Sequence, residues 1–262
     1  MSFARMRFPG ESADYRSARN ALLDAEIALR RQTEAVAEMR RQLPPGGEVP
    51  EDYIFERIGA DFRPMKVKLS ELFGEHPTLL LYSYMFGPER DSPCPGCTHL
   101  LDCLEGAARH VPQRASFYVV AASPIARLAS WAHDRGWNHH RLLSTAGNDY
   151  NAHYYGNTAS LTPAMRAERG YKASENWDEP MLNVFRKDGD TIRHFWGSEL
   201  VFAPEDPGQN HRGLDFMDPV WGMLDMIPEG RGDWFPSVAY PAQAEQAAAE
   251  ARAKQEPEHE QA

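Results

Sequence analysis

Thr78-Leu79-Leu80-Leu81-Tyr82-Ser83-Tyr84-Met85-Phe86, followed by the connector Gly87 to Ser92, by Pro93-Cys94-Pro95-Gly96-Cys97 and by the amphipathic stretch Thr98 to Val111, decides how this chain is built. An aliphatic and aromatic run of this length suits a buried strand. A helix starts almost at once after it, because Pro95 has a φ already helical and lacks an N–H that the first turn would leave unpaired. Cys94 then falls at or just before the helix N-terminus. Free N–H groups and the positive end of the helix dipole favour a thiolate there. Cys97, three residues on, lies on the same helical face and can resolve a mixed disulfide formed on Cys94, giving a reversible dithiol/disulfide couple.

Working toward the C-terminus, the cysteine helix carries Leu100, Leu101, Cys103, Leu104, Ala107, Ala108 and Val111 on its inner face. Ala115 to Ala122 reads as a second buried strand, Pro124 to Asp134 as a helix capped by Ser123, and Gly136 to Thr145 as a third strand. Strand, helix, strand, helix implies a parallel βαβ core. Residues 157–178 show no clear period and read as an insertion with a helical turn at 164–169. Pro180 then introduces Met181 to Arg186, and Asp188-Gly189 turns the chain into Thr191 to Trp196 as a hairpin. The expected class is α/β, a central mixed sheet with flanking helices. Phe216 to Met226 reads as a last helix, while Pro241 to Ala262, rich in Ala, Glu and Gln, reads as a frayed or disordered tail.

Toward the N-terminus, Tyr53 to Phe62 and Lys66 to Leu72 suggest a short strand and a connecting turn. From Ser12 to Leu43 apolar positions alternate by three and four. Ser12 can cap this helix, Arg40 and Arg41 suit its negative end, and Pro44-Pro45-Gly46-Gly47 stops it. Its stripe keeps a heptad spacing that would serve a homodimer, or it packs along its own domain. The expected organisation is a long N-terminal helix over 1–47, one domain over 48–230 and a tail over 231–262.

A chain of 262 residues can bury a substantial core, and its three cysteines, all within ten positions, cannot staple distant parts of a fold. The N-terminal residues lack a secretory apolar stretch and no run reaches membrane-spanning length, so the protein is expected in the cytoplasm and not in a membrane. A net charge of −10 argues against a nucleic-acid partner.

The order of strand, CxxC at a helix start, strand, helix, strand, then proline before a hairpin resembles the thioredoxin fold. Phe117 to Gly156, with Leu142-Leu143-Ser144 and Tyr154-Tyr155-Gly156, looks like its peroxiredoxin branch. The long helix, the Pro44 to Gly47 break and the Cys94-Pro95-Gly96-Cys97 helix together are similar to a bacterial family of unknown function labelled predicted thioredoxin-like dithiol-disulfide oxidoreductases. This resemblance implies a thiol-disulfide oxidoreductase that needs no cofactor and acts on a protein or small-molecule thiol or disulfide. It implies that Cys94 and Cys97 are the redox pair. It also implies that Pro180 is cis against them, with Pro93 and the backbone at Glu179 helping to hold an extended substrate. The chain departs from thioredoxin in having Pro93 where a tryptophan precedes the first cysteine, Pro-Gly in reversed order between the cysteines, and no buried acid on the central strand. Pro88 and Ser92 stand close to where peroxiredoxins keep proline and threonine, but Cys94 falls one residue early; the alternative that this likeness implies is a thiol peroxidase of peroxiredoxin-like type.

Two other uses of these residues are open at this level. Cys94, Cys97, His99 and Cys103 are candidate zinc ligands. A structural site needs four converging donors, however, no second CxxC follows, and His99 and Cys103 point away from Cys94 on a continuous helix, so no metal is expected. His99 then reads as a surface residue, Cys103 as a small apolar one, and His139, His140 and His153 as loop and edge histidines. A redox-inactive partner-binding protein on the same scaffold is the third alternative.

Overall fold

The computed structural model describes residues 6–172 and 174–240. Its chain divides into two compact units, 1–46 and 47–262. The first is dominated by α1 (Ala13–Arg41). The Ser12 hydroxyl accepts the Tyr15 N–H at 3.1 Å, Asp14 lies in the first turn and Arg40 and Arg41 in the last, as the capping and dipole arguments require.

The second unit is a mixed sheet covered by helices. In chain order it comprises β1 (Ile54–Ile58), β2 (Pro64–Lys68), α2 (Leu69–Leu72), β3 (Thr78–Ser83), α3 (Pro95–Leu104), β4 (Ser116–Ala121), α4 (Ile125–Arg135), β5 (Leu142–Ser144), α5 (Tyr150–His153), α6 (Pro163–Glu168), β6 (Met181–Asp188), β7 (Thr191–Gly197) and α7 (Pro219–Leu224). The strands lie in the order β2-β1-β5-β4-β3-β6-β7. β3 pairs parallel with β4, with Leu81 opposite Tyr118, and antiparallel with β6, with Leu81 opposite Asn183. A parallel βαβ unit flanked by an antiparallel hairpin is the thioredoxin-like arrangement that the CxxC strand and the Pro180 hairpin called for.

Side chains alternate across β3, so the strand feeds two cores. Leu79 and Leu81 join Phe55, Leu69, Leu72, Val120 and Phe185 on one face. Tyr82 joins Leu100, Leu101, Val119, Ile125 and Leu182 on the other, beneath α3 and α4. Gly189, at φ +58°, makes the hairpin turn that a side chain would strain.

The structure departs from the sequence reading at several points. Lys66 to Leu72 is half strand: β2 pairs antiparallel with β1, with Phe55 opposite Val67, before the chain turns into α2. α3 stops at Leu104 instead of running to Val111, and two short 3₁₀ turns, 107–109 and 111–113, finish the crossover. In α4 the cap is Pro124, not Ser123, so the helix starts one residue later. Residues 216–226 divide into a 3₁₀ turn and the six-residue α7. Residues 231–240, expected in the tail, pack on the domain: Arg135 donates to the Val238 carbonyl at 2.6 Å, and the Tyr240 hydroxyl donates to Asp102 at 2.8 Å. The expected tail from 241 onward lies outside the described residues. Among those described, no helix is long and apolar enough to cross a membrane.

Candidate active site

β3 ends at Ser83, and the chain stays tied to β4 through Tyr84, whose N–H donates to the Val120 carbonyl at 2.8 Å. The connector then returns to the strand end, where the Cys94 N–H donates to the Met85 carbonyl at 3.0 Å. Cys94, at φ −60° and ψ 126°, is the N-cap of α3 and Pro95 its first residue. The Cys94 carbonyl accepts both the Thr98 N–H at 3.0 Å and the Thr98 hydroxyl at 2.9 Å. Tyr84 in turn contacts the Thr98 hydroxyl at 2.8 Å. The first turn of the helix is therefore fixed from below by buried groups.

Both cysteines are free thiols, Cys94 half-buried and Cys97 buried. The Cys94 sulfur accepts from the Cys97 thiol and then from the Cys97 and Gly96 N–H groups, with the Arg90 charge added. Together these outweigh partial burial and bring its pKa from 9.0 down to about 6. The same bond and complete burial push the Cys97 thiol well up. Beneath Cys97 lies Tyr82, whose buried hydroxyl has no well-formed hydrogen bond among the described residues. The two thiols are thus unequal in the way a helix N-terminus favours: one with a lowered pKa, the other covered and raised.

The connector before Cys94 is clamped by two residues that the sequence did not advertise. Arg127, on α4, donates to the Gly87 carbonyl at 3.2 Å, to the Asp91 carbonyl at 3.1 Å and to the Arg90 carbonyl. Asp178 accepts the Gly87 N–H at 2.6 Å and pairs with Arg90 at 3.3 Å. Burial pushes the Asp178 carboxyl above the usual carboxylate range.

Cys94 and Cys97 open on a cavity of about 390 Å³, whose other walls include Tyr82, Pro180, Trp221 and Trp234. Phe235 forms its rim, with a ring carbon 3.4 Å from where a β-carbon on Gly96 would stand. Pro180 therefore shares the cavity with the cysteines, but its peptide bond is trans, like every peptide bond among the described residues. The expectation of a cis bond is corrected for a local reason: the chain enters β6 from the Asn157–Asp178 bridge as extended backbone, with no turn at the proline. The Glu179 N–H donates to the Gly156 carbonyl at 3.0 Å and is not available to a substrate. The Glu179 side chain is buried, 3.8 Å from Arg169, and lines a neighbouring cavity that Pro180 also borders. Pro93 is buried and does not line the cysteine cavity.

The remaining sequence candidates separate from the pair. His140 is buried against the Leu101 carbonyl, His139 pairs with Glu105, and His153 contacts the Tyr53 hydroxyl at 2.7 Å. Cys103 is half-buried, and burial with the nearby Asp218 and Asp102 charges pushes its thiol up to about 11. An advance sign of the cavity wall was the set of aromatic residues Trp221, Trp234 and Phe235 close to the end of the domain.

Residues 6–249 match the profile of a family described as "Bacterial protein of unknown function (DUF899)". No protein of curated function matches the chain. Among solved structures, it is similar to the peroxidoxin BcpB from Mycobacterium tuberculosis, at 18% identity and a TM-score of 0.40 over 57% of this chain and 83% of that one. It is also similar to the reduced Plasmodium vivax 2-Cys peroxiredoxin, at 13% identity and a TM-score of 0.40 over 68% of this chain and 97% of that one.

Proposed function

The chain belongs to this bacterial family, and we propose that it is a thiol-disulfide oxidoreductase working through Cys94 and Cys97. One observation carries the reading: Cys94 faces a cavity from a helix N-cap with its pKa lowered to about 6, directly above a protonated, covered Cys97. In the reducing direction the Cys94 thiolate attacks one sulfur of a substrate disulfide. The substrate S–S bond breaks and the second sulfur leaves as a thiolate. That thiolate takes the Cys97 proton, and the Cys97 thiolate attacks Cys94, releasing the other half of the substrate and closing a Cys94–Cys97 disulfide. Two electrons pass from the dithiol to the substrate. An external dithiol restores the pair, and the same steps reversed oxidise a dithiol.

The cavity supports a small substrate with an apolar body. Its volume is that of a small-molecule site, and its walls and rim present Tyr82, Trp221, Trp234 and Phe235. A thiol peroxidase is supported less well, because Ser92, nearest in sequence to that family's threonine, is exposed and stands outside the cavity.

The test is single turnover of the reduced protein with a small aromatic disulfide, followed by intact mass. The wild type should release two thiols and end as an internal disulfide. Cys94→Ser should be inert, and Cys97→Ser should stop as a stable adduct on Cys94. Turnover by Cys94→Ser, or an adduct found first on Cys97, would overturn the assignment.

A further inference from the structure

Further along α3 from Cys94 and Cys97, three side chains of different chemistry meet. His99 and Cys103 lie one turn apart on the helix, with the His99 Nε2 and Cys103 Sγ 3.9 Å apart. Asp218, buried at the N-cap of α7, places its Oδ2 3.3 Å from the same Nε2. All three donor atoms lie within 4.8 Å of one another. The geometry points to a divalent transition-metal site, of the zinc class, with His99, Cys103 and Asp218 as its protein ligands.

The His99–Asp218 spacing is loose for a hydrogen bond and suits two ligands of one ion. An imidazole bonded to a carboxylate sits closer, as His139 does to Glu105 at 2.6 Å. Donors about 2.0 Å (N, O) and about 2.3 Å (S) from a tetrahedral ion stand roughly 3.3 to 3.5 Å apart: the His99–Asp218 pair at 3.3 Å already has that spacing, and Cys103, 3.9 Å from His99, has to close in by a fraction of an ångström. An imidazole, a thiolate and a carboxylate are the donor types a borderline ion takes, and a dication would offset the two negative charges. The supporting shell is present as well: the Asp218 Oδ1 accepts the Val220 N–H at 3.0 Å, which orients the carboxylate, and the Trp234 ring packs on His99 at 5.6 Å between centroids. Asp218, Trp221 and Trp234 also line the cysteine cavity, which gives an ion a route in and leaves the fourth position for water.

The experiment is titration of the full-length, reduced protein with cobalt(II) and, in competition, zinc(II). One equivalent of cobalt should bind with a sulfur-to-cobalt charge-transfer band, and zinc should displace it. The Cys94→Ser/Cys97→Ser double variant should bind as the wild type does. Cys103→Ser should lose the band, and Asp218→Asn, which keeps the capping oxygen, should bind at least about tenfold more weakly while circular dichroism stays unchanged. Absence of stoichiometric binding by the wild type, or binding that survives Cys103→Ser and disappears in the double variant, would overturn the site. The second outcome would place the ion on the dithiol instead.

Discussion

Arg127 stacks its guanidinium over the ring of Phe86, 4.1 Å from the ring centroid, while its nitrogens hold the carbonyls of the connector that delivers Cys94. A planar, forked cation can do both at once, and an ammonium cannot. Arg127→Lys should therefore cost about 2 kcal/mol of stability, the scale of one desolvated cation–π contact or one charged hydrogen bond. It should also slow Cys94 alkylation. Denaturant midpoints and iodoacetamide kinetics measured on the same preparation check both, and an unchanged alkylation rate would show that the clamp does not position the thiol.

Cys94 should titrate near pH 6 in the reduced protein, against 9.0 for an ordinary thiol. Its alkylation rate should rise through about pH 6 and level off above it. Because the folded value is the lower one, the thiolate's contribution to stability is full above the unfolded value of 9.0 and is lost as pH falls through about 6. The wild type should thus gain stability over Cys94→Ser between these two limits. Cys97→Ala removes the leading donor to the thiolate and should move the alkylation inflection upward.

Gly87 lies against Asp178 so closely that an added β-carbon would stand 2.7 Å from the carboxylate. Gly87→Ala should cost about 1 to 3 kcal/mol through this clash and the displacement of the Gly87 N–H to Asp178 hydrogen bond. Thermal unfolding gives the stability loss directly. A variant as stable as the wild type would mean that the connector can move away from Asp178 without penalty.

Phe235 is 64% exposed although it rims the cavity, so Phe235→Ala should change stability by no more than about 0.5 kcal/mol. It should nonetheless raise the reactivity of Cys94 toward a bulky aromatic maleimide relative to iodoacetamide. The ratio of the two rates reads the width of the mouth independently of the thiol pKa. Equal acceleration of both reagents would point to a change at the sulfur instead.

The parts of the fold that were legible in the sequence are those fixed locally. β3, β4 and the 181–197 hairpin follow from apolar runs and a turn dipeptide, and the place of Cys94 at the head of α3 follows from Pro95. β2 was missed because Pro64-Met65-Lys66-Val67-Lys68 buries only Val67 and carries no alternating signal. The extent of α3 was overread because the apolar pattern continues through residues that the chain bends into 3₁₀ turns. The cavity wall, Arg127, Asp178 and the meeting of His99 with Asp218 depend on contacts between residues 36 to more than 100 positions apart. Such pairings leave no periodic trace.

The rim of the cavity comes from chain made long after the cysteines. Phe235 is synthesised about 140 residues after Cys94, which at roughly 5 to 20 residues per second is a delay of about 7 to 30 seconds. During that interval Cys94 is on the growing chain without the rim that Phe235 supplies to the finished cavity.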